Sequence, residues 1–262
     1  MKKGINLYLV KEVDTKEKID LFKQTNYDEV MLGVYDKVET LPLEEEVEYL
    51  DKVGLKYSVI HDSYNDKVLN NFWIDNEIGD EIEEDLKNQI LKISKFNTKN
   101  FVIHHESCKG VEPTEIGLER LRRLLNVAEK FDINICVENL YNENTFAYIF
   151  DNIKHKNLKM CFDCGHENFL CPGANFLDKY YDYVTCVHLH DNLGILDDHK
   201  MLGFGTIDLD NLARGLSKCR EIDNIILTSE IKYSKEEFNL ELMQKNMNTL
   251  IELEKKINEY RK

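Results

Sequence analysis

Residues 158–166 read Leu-Lys-Met-Cys-Phe-Asp-Cys-Gly-His, a short apolar run that stops at Asp163 and carries His166 three residues further on. The same arrangement recurs on both sides of it. Upstream, Tyr57 to Ile60 leads into His61-Asp62-Ser63-Tyr64, Asn100 to Ile103 into His104-His105-Glu106, and Ile133 to Val137 into Glu138-Asn139. Downstream, the run from Tyr183 passes into His188-Leu189-His190-Asp191-Asn192, and Ile225 to Ser229 stops at Glu230. Two earlier runs, Ile5 to Val10 and Glu29 to Val34, bring the strand count to eight. Stretches with apolar residues at helical spacing alternate with them, among them Lys16 to Lys23, Leu43 to Val53, Glu81 to Lys95, Glu115 to Phe131, Thr145 to Asn152, Leu209 to Cys219 and Lys235 to Lys256. Strand and helix alternating eight times predict an α/β chain whose parallel sheet closes into a (β/α)8 TIM barrel, a single domain over residues 1–262.

The alternative is an open doubly wound sheet. A dinucleotide-binding version needs G-x-G-x-x-G after its first strand, and here that strand runs into Lys11-Glu12-Val13-Asp14. Neither a G-x-x-x-x-G-K-[ST] loop nor a G-x-S-x-G elbow occurs, so nucleotide binding and serine hydrolysis lose their usual sequence support.

Composition narrows the function. Of 262 residues, 49 are acidic and 34 basic, a formal charge of −15, which disfavours nucleic acid and anionic membranes as partners. With 42% hydrophobic residues and only 3 Pro and 12 Gly, the chain reads as globular. No run approaches the ~20 apolar residues of a membrane span, and the start is too interrupted for a signal peptide. Seven scattered cysteines suit free thiols in a reducing, cytoplasmic setting. Cys161 and Cys164 form a C-x-x-C, but no second pair accompanies them, so a zinc or redox site there is disfavoured.

In a parallel barrel the chemistry sits at the carboxyl ends of the strands. Strands three to eight all finish on His, Asp or Glu, and six of the eight histidines (61, 104, 105, 166, 188 and 190) fall there, with His199 in the loop after strand seven and His155 elsewhere. One such histidine reads as an ordinary hydrogen-bonded loop residue; the set does not. Imidazole and carboxylate together suit Zn2+, Mn2+, Co2+ or Fe2+ better than Mg2+.

Glu138-Asn139, Phe162-Asp163-Cys164-Gly165-His166, the segment 188–192, residues 197–205 and Glu230 together resemble the xylose isomerase-like barrel superfamily, which includes sugar-phosphate isomerases and epimerases and endonuclease IV. The resemblance implies one divalent ion, Mn2+ or Zn2+ with Co2+ as a further option, held by Glu138, Asp163, His188 and Glu230. It further implies that His61, His104, His166, Asp197 and His199 bind additional metal, as in trinuclear members, or hold substrate.

Two chemistries follow from that resemblance. The leading one is isomerisation or epimerisation of a sugar or sugar phosphate, with Glu138 and Glu230 as base and acid beside a metal-polarised carbonyl. The alternative is an endonuclease IV-type zinc phosphodiesterase acting on abasic DNA. Related lyases and dehydratases, or a non-catalytic sugar-binding relative, are remoter readings. The loops after strands three to eight offer Lys67, Lys109 and Lys200 amid many acids, and a His-Pro-Gly turn after strand four is replaced by His104-His105-Glu106. Both features favour a small, unphosphorylated sugar over a polyanion. Tyr64 and Trp73 are expected to wall the substrate pocket, with Trp73 as its cover; Tyr8, read as part of strand one, and Phe204 are read first as packing. Gly203-Phe204-Gly205 is expected to let the loop bearing Asp197 and His199 fold back. Dimers are common in the family, so a homo-oligomer is within what the resemblance implies.

Overall fold

The computed structural model describes every residue except Leu9, Lys11, residues 35–40, Cys108 and Lys109; the loop lysine Lys109 named above therefore lies outside the described residues. Eight parallel strands close in sequential order: β1 (Lys2–Asn6), β2 (Glu29–Gly33), β3 (Val59–His61), β4 (Asn100–Ile103), β5 (Asn134–Glu138), β6 (Leu158–Asp163), β7 (Val184–Leu189) and β8 (Ile226–Ser229). Nine helices are described around them: α1 (Thr15–Gln24), α2 (Leu43–Val53), α3 (Glu77–Ile93), α4 (Glu115–Glu129), α5 (Glu143–Asn152), α6 (Cys164–Phe169), α7 (Phe176–Tyr180), α8 (Leu209–Leu216) and α9 (Leu240–Tyr260). The barrel read from the sequence is the barrel observed. No described helix is long and apolar enough to cross a membrane.

Most helix boundaries are set by their caps. Asp14, Asn76, Asn142, Asp208 and Asn239 each turn a side-chain oxygen onto the free amides of the turn they open. Asn239 explains one shift from expectation: its carboxamide accepts from the Leu242 amide and starts α9 there, not at Lys235. The first strand also ends early. Pairing with β8 and β2 holds Lys2 to Asn6, after which the chain turns, leaving Tyr8 beyond the strand with its hydroxyl donating to Glu46 Oε2 at 2.6 Å.

Alternation along each strand builds the interior. Residues two apart share a face, and Met31, Val59, Val102, Cys136, Cys161, Cys186 and Ile226 form one buried layer inside the barrel. Two residues further along β3 to β7, the same inward face carries His61, His104, Glu138, Asp163 and His188. The remaining sector is narrow: a Cβ on Gly4 would fall 2.9 Å from Ile226 Cγ2 and 3.0 Å from Thr228 Oγ1. Outward faces of the strands meet the helices in a second, larger core.

The connection from β3 to α3 is tied down from behind. Arg120 on α4 has no exposed surface and donates to the Phe72 and Ile74 carbonyls at 2.8 and 2.7 Å and to Asp80 at 2.7 Å. Trp73 lies in the same segment and corrects the expectation of a pocket cover. Only 1% exposed, it stacks edge-on to Phe72, donates its indole N–H to the His105 carbonyl at 2.8 Å, and lies over the face of α4 at Gly117. A Cβ at Gly117 would come within 2.2 Å of the Trp73 ring. Gly117→Ala gains up to about 1 kcal/mol of helix propensity but overpacks a rigid ring, which costs about 1–3 kcal/mol. Denaturant unfolding should therefore show a lower midpoint for Gly117→Ala; a midpoint at or above that of the unmodified chain would contradict this packing.

Candidate metal centre

Glu138, at the end of β5, is 1% exposed and is approached by four imidazoles. His61 Nε2 and His104 Nε2 lie 3.1 and 3.0 Å from its Oε2. On the other oxygen, His188 Nδ1 lies at 3.0 Å and His166 Nδ1 at 3.4 Å. His188 Nδ1 also faces Glu230 Oε2 at 3.5 Å and Asp163 Oδ2 at 3.8 Å, so one ring nitrogen and three carboxylates from β5, β6 and the end of β8 converge on one point. Burial alone would push the Glu138 carboxyl up, but the His188 and His104 imidazoles outweigh it and hold it well below the carboxylate range. His188 shows the reciprocal effect: burial lowers it, yet Glu230 and Glu138 raise it to about 10.

A second cluster adjoins the first. Asp163 Oδ1 accepts from the His166 amide at 2.7 Å and lies 3.1 Å from His190 Nε2. Asp197 Oδ2 is 2.9 Å from His199 Nε2, and its Oδ1 is 3.7 Å from His190 Nε2; the His190 and His199 rings stack at 3.9 Å. Against burial, His199 and His166 hold the Asp197 carboxyl low. His199 adopts a left-handed φ of 49° and directs Nδ1 to the Glu230 carbonyl at 2.6 Å, a strained backbone kept by its neighbours.

The supporting residues were less legible than these. Asn139 clamps β5 to β6, donating to the Asp163 carbonyl and accepting from the Asp163 amide, both at 2.8 Å. Asp62 Oδ1 sits 2.9 Å from His61 Nδ1 and fixes which way that ring faces. Asn6 on β1 donates to Glu230 Oε1 at 2.8 Å. Asp191, fully buried, accepts from the Gly203 and Ile207 amides and so returns the loop that carries Asp197 and His199, with Gly205 lying where a Cβ would meet its carboxylate. His190 was visible only as one more histidine at a strand end.

Not every polar residue near the strand ends joins the cluster. Of His104-His105-Glu106, only His104 reaches the cluster. His105 is buried behind Trp73, where desolvation and the neighbouring His104 lower it to about 3, and Glu106 turns to accept the Asn142 amide at 2.6 Å, with burial raising it to about 7. Tyr64 stays at the rim, its ring 4.0 Å from that of His104. Cys161 faces the Glu138 and His188 ligand atoms while Cys164 Sγ lies at the His190 carbonyl, so the C-x-x-C pair forms no joint site among the described residues.

The donor set suits a divalent cation. Asp163 Oδ2 and Asp197 Oδ1 are buried without a hydrogen-bond partner in the protein, and uncompensated buried carboxylate oxygens cost several kcal/mol unless a positive charge joins them. Oxygen and imidazole nitrogen together match Zn2+, Mn2+ or Co2+.

With that geometry in place, the chain can be set against known proteins. Residues 19–253 match the family model of the xylose isomerase-like TIM barrel, and the chain belongs to that family. An uncharacterized protein of Methanocaldococcus jannaschii is 28% identical over 195 residues, 70% of this chain and 75% of that protein. A probable endonuclease 4 of Mycoplasma mycoides is 23% identical, covering 62% of this chain and 63% of the relative. Among solved structures, a D-tagatose 3-epimerase-like protein superposes with a TM-score of 0.77 at 20% identity, and the IolI protein with a bound zinc atom at 0.78 and 18%; each covers 99% of both chains. At these identities the structures share the fold.

Metal binding should be visible as stability. Chelator-stripped protein reloaded with Zn2+, Mn2+ or Co2+ should melt at higher temperature, by the equivalent of ~2.7 kcal/mol at an ion concentration a hundred times Kd, and Asp163→Asn should lose most of that gain. Melting curves that none of the three ions moves would remove the centre.

Proposed function

We propose that the chain is a divalent-metal-dependent sugar isomerase or epimerase that works by proton transfer beside a polarised carbonyl. The observation that carries this is the placement of two carboxylates, Glu138 and Glu230, around the same His188 nitrogen from strands on different sides of the barrel mouth. Glu138, Asp163, His188 and Glu230 would hold the ion, whose contribution when bound is to polarise the substrate carbonyl and acidify the neighbouring C–H. Glu138 and Glu230 then act as base and acid on the two faces of the substrate carbon. Asn6 keeps Glu230 oriented through the bond to Oε1. His61 and His104, packed against the ring of Tyr64, would bring their imidazoles to the substrate beside Glu138. Lys200, a basic residue of the seventh loop, is paired with Asp198, which supports an unphosphorylated ligand. The likeness to the D-tagatose 3-epimerase-like protein and to zinc-bearing IolI supports the same reading.

The second reading, an endonuclease IV-type phosphodiesterase, is favoured by the additional donor groups His61–His104–Glu138 and His190–Asp197–His199 and by the endonuclease 4 relative. The net charge of −15 opposes it, since phosphate contacts dominate affinity for DNA.

In deuterated water, the metal-loaded chain should exchange a carbon-bound hydrogen of its ketose substrate with solvent. Glu138→Gln and Glu230→Gln should each slow that exchange by about 10^2–10^4-fold, with metal content measured in parallel to separate lost base from lost ion. Undiminished exchange in a metal-replete Glu138→Gln protein refutes the assigned role, and cleavage of an abasic duplex puts the phosphodiesterase first.

A further inference from the structure

A cavity of about 520 Å3 lies between the segment that follows β3 and the first half of α3. Its size falls within the ~300–1,000 Å3 of small-molecule sites. Two residues belong both to this cavity and to the surroundings of the metal centre. Tyr64 borders the cavity, and its ring lies 4.0 Å from that of His104, whose Nε2 meets Glu138. Asp62 borders it as well, while holding the His61 ring through Nδ1.

The lining groups apolar surface with polar atoms that the protein leaves available. Tyr64 is 39% exposed and Ile78 40%, with Ile82 half-buried on the same helix. Large apolar side chains left exposed together around a concavity mark a binding surface. Among the described residues, the Ser63 hydroxyl, the Asn65 carboxamide nitrogen and the Glu81 carboxylate on that lining carry no hydrogen bond to protein.

The charge of the lining narrows the ligand. No described Lys or Arg borders the cavity. Of its three acids, Asp62 is taken up by His61 and the His104 amide, and Asp85 by the Gln89 carboxamide, which leaves Glu81 as the open acceptor. A phosphate would meet repulsion there. An uncharged polyol finds an acceptor, hydroxyl and amide donors, and an aromatic surface for its C–H face.

On the reading of the metal centre as one that acts on a sugar, we propose that this cavity is a second sugar subsite and that the substrate is a ketose bearing a further neutral glycosyl unit. The ketose end meets the metal centre and the glycosyl unit occupies the cavity. Tyr64 is the wall that both units touch, and Ile78 and Ile82 form the apolar side of the outer subsite.

The probes are D-fructose and three disaccharides that end in the same ketose through different linkages, turanose, lactulose and isomaltulose, each titrated calorimetrically into metal-loaded chain. At least one disaccharide should bind about tenfold more tightly than fructose, equivalent to about 1.4 kcal/mol. That preference should vanish in Ile78→Trp, which fills the cavity from a partly exposed position. Should Ile78→Trp fail to fold, Glu81→Ala, which removes the open acceptor, should lower the preference in its place. Fructose bound as tightly as all three disaccharides, or a preference that neither variant diminishes, overturns the second subsite and leaves the sugar reading standing. Binding of none of the four overturns both. A chain that prefers a disaccharide but exchanges none of its carbon-bound hydrogen with solvent keeps the subsite and loses the proton-transfer reaction.

Discussion

The buried carboxylate of Glu138 is what the barrel mouth is built to accommodate. Taking an ionised carboxylate out of water costs several kcal/mol unless opposite charge and hydrogen bonds are supplied in place. Here His61, His104, His188 and His166 supply them from four different strand ends, all within 3.4 Å. Those rings need orientation in turn, and Asp62, Asn139 and the Asn6–Glu230 pair provide it. The polar network therefore extends outward from Glu138 until it reaches backbone groups. It is also unbalanced, because Glu230, Asp163 and Asp197 bring more acid than the ring nitrogens neutralise without protonation. A bound divalent ion would resolve that imbalance and leave the imidazoles free to act as neutral ligands.

The closed sheet makes this arrangement economical. A strand in a barrel presents alternate residues inward, so an apolar or thiol layer and a ligand layer need only a two-residue offset. Val59 precedes His61, Val102 precedes His104, and the three cysteines precede Glu138, Asp163 and His188. β1 and β2 break the pattern, carrying Asn6 and Gly33 at the corresponding level. The charged arc thus spans β3 to β8, and beside β1 and β2 Tyr8 accepts from the Gly33 amide.

What the sequence disclosed and what it concealed follow from the range of the interactions. Strand ends were legible because an apolar run stopping at His, Asp or Glu is a local signal. The alternation that sends His104 inward and His105 behind Trp73 was equally local, but it shows only when a strand's parity is counted from its register. Trp73 could not be placed from its surroundings in sequence: its polar neighbours suggested exposure, while Gly117, the residue that gives it room, is on another helix. The same holds for Asn139, whose role lies in the Asp163 backbone across the sheet. Asn239 was readable as an N-cap, and the later start of α9 follows from it.

The choice between the two chemistries turns on what lies outside the ligand set. Both reactions can use an imidazole and carboxylate centre, so the donors alone do not discriminate. The basic side chains do: among the described residues those of the surrounding loops, such as Lys200 with Asp198 and Lys179 with Glu143, are already paired. Releasing either lysine to a phosphate would leave its acid facing the same polyanion, so each such contact is offset as it forms. A neutral polyol, the ligand class of the proposed reaction, would meet no such opposition from these ion pairs.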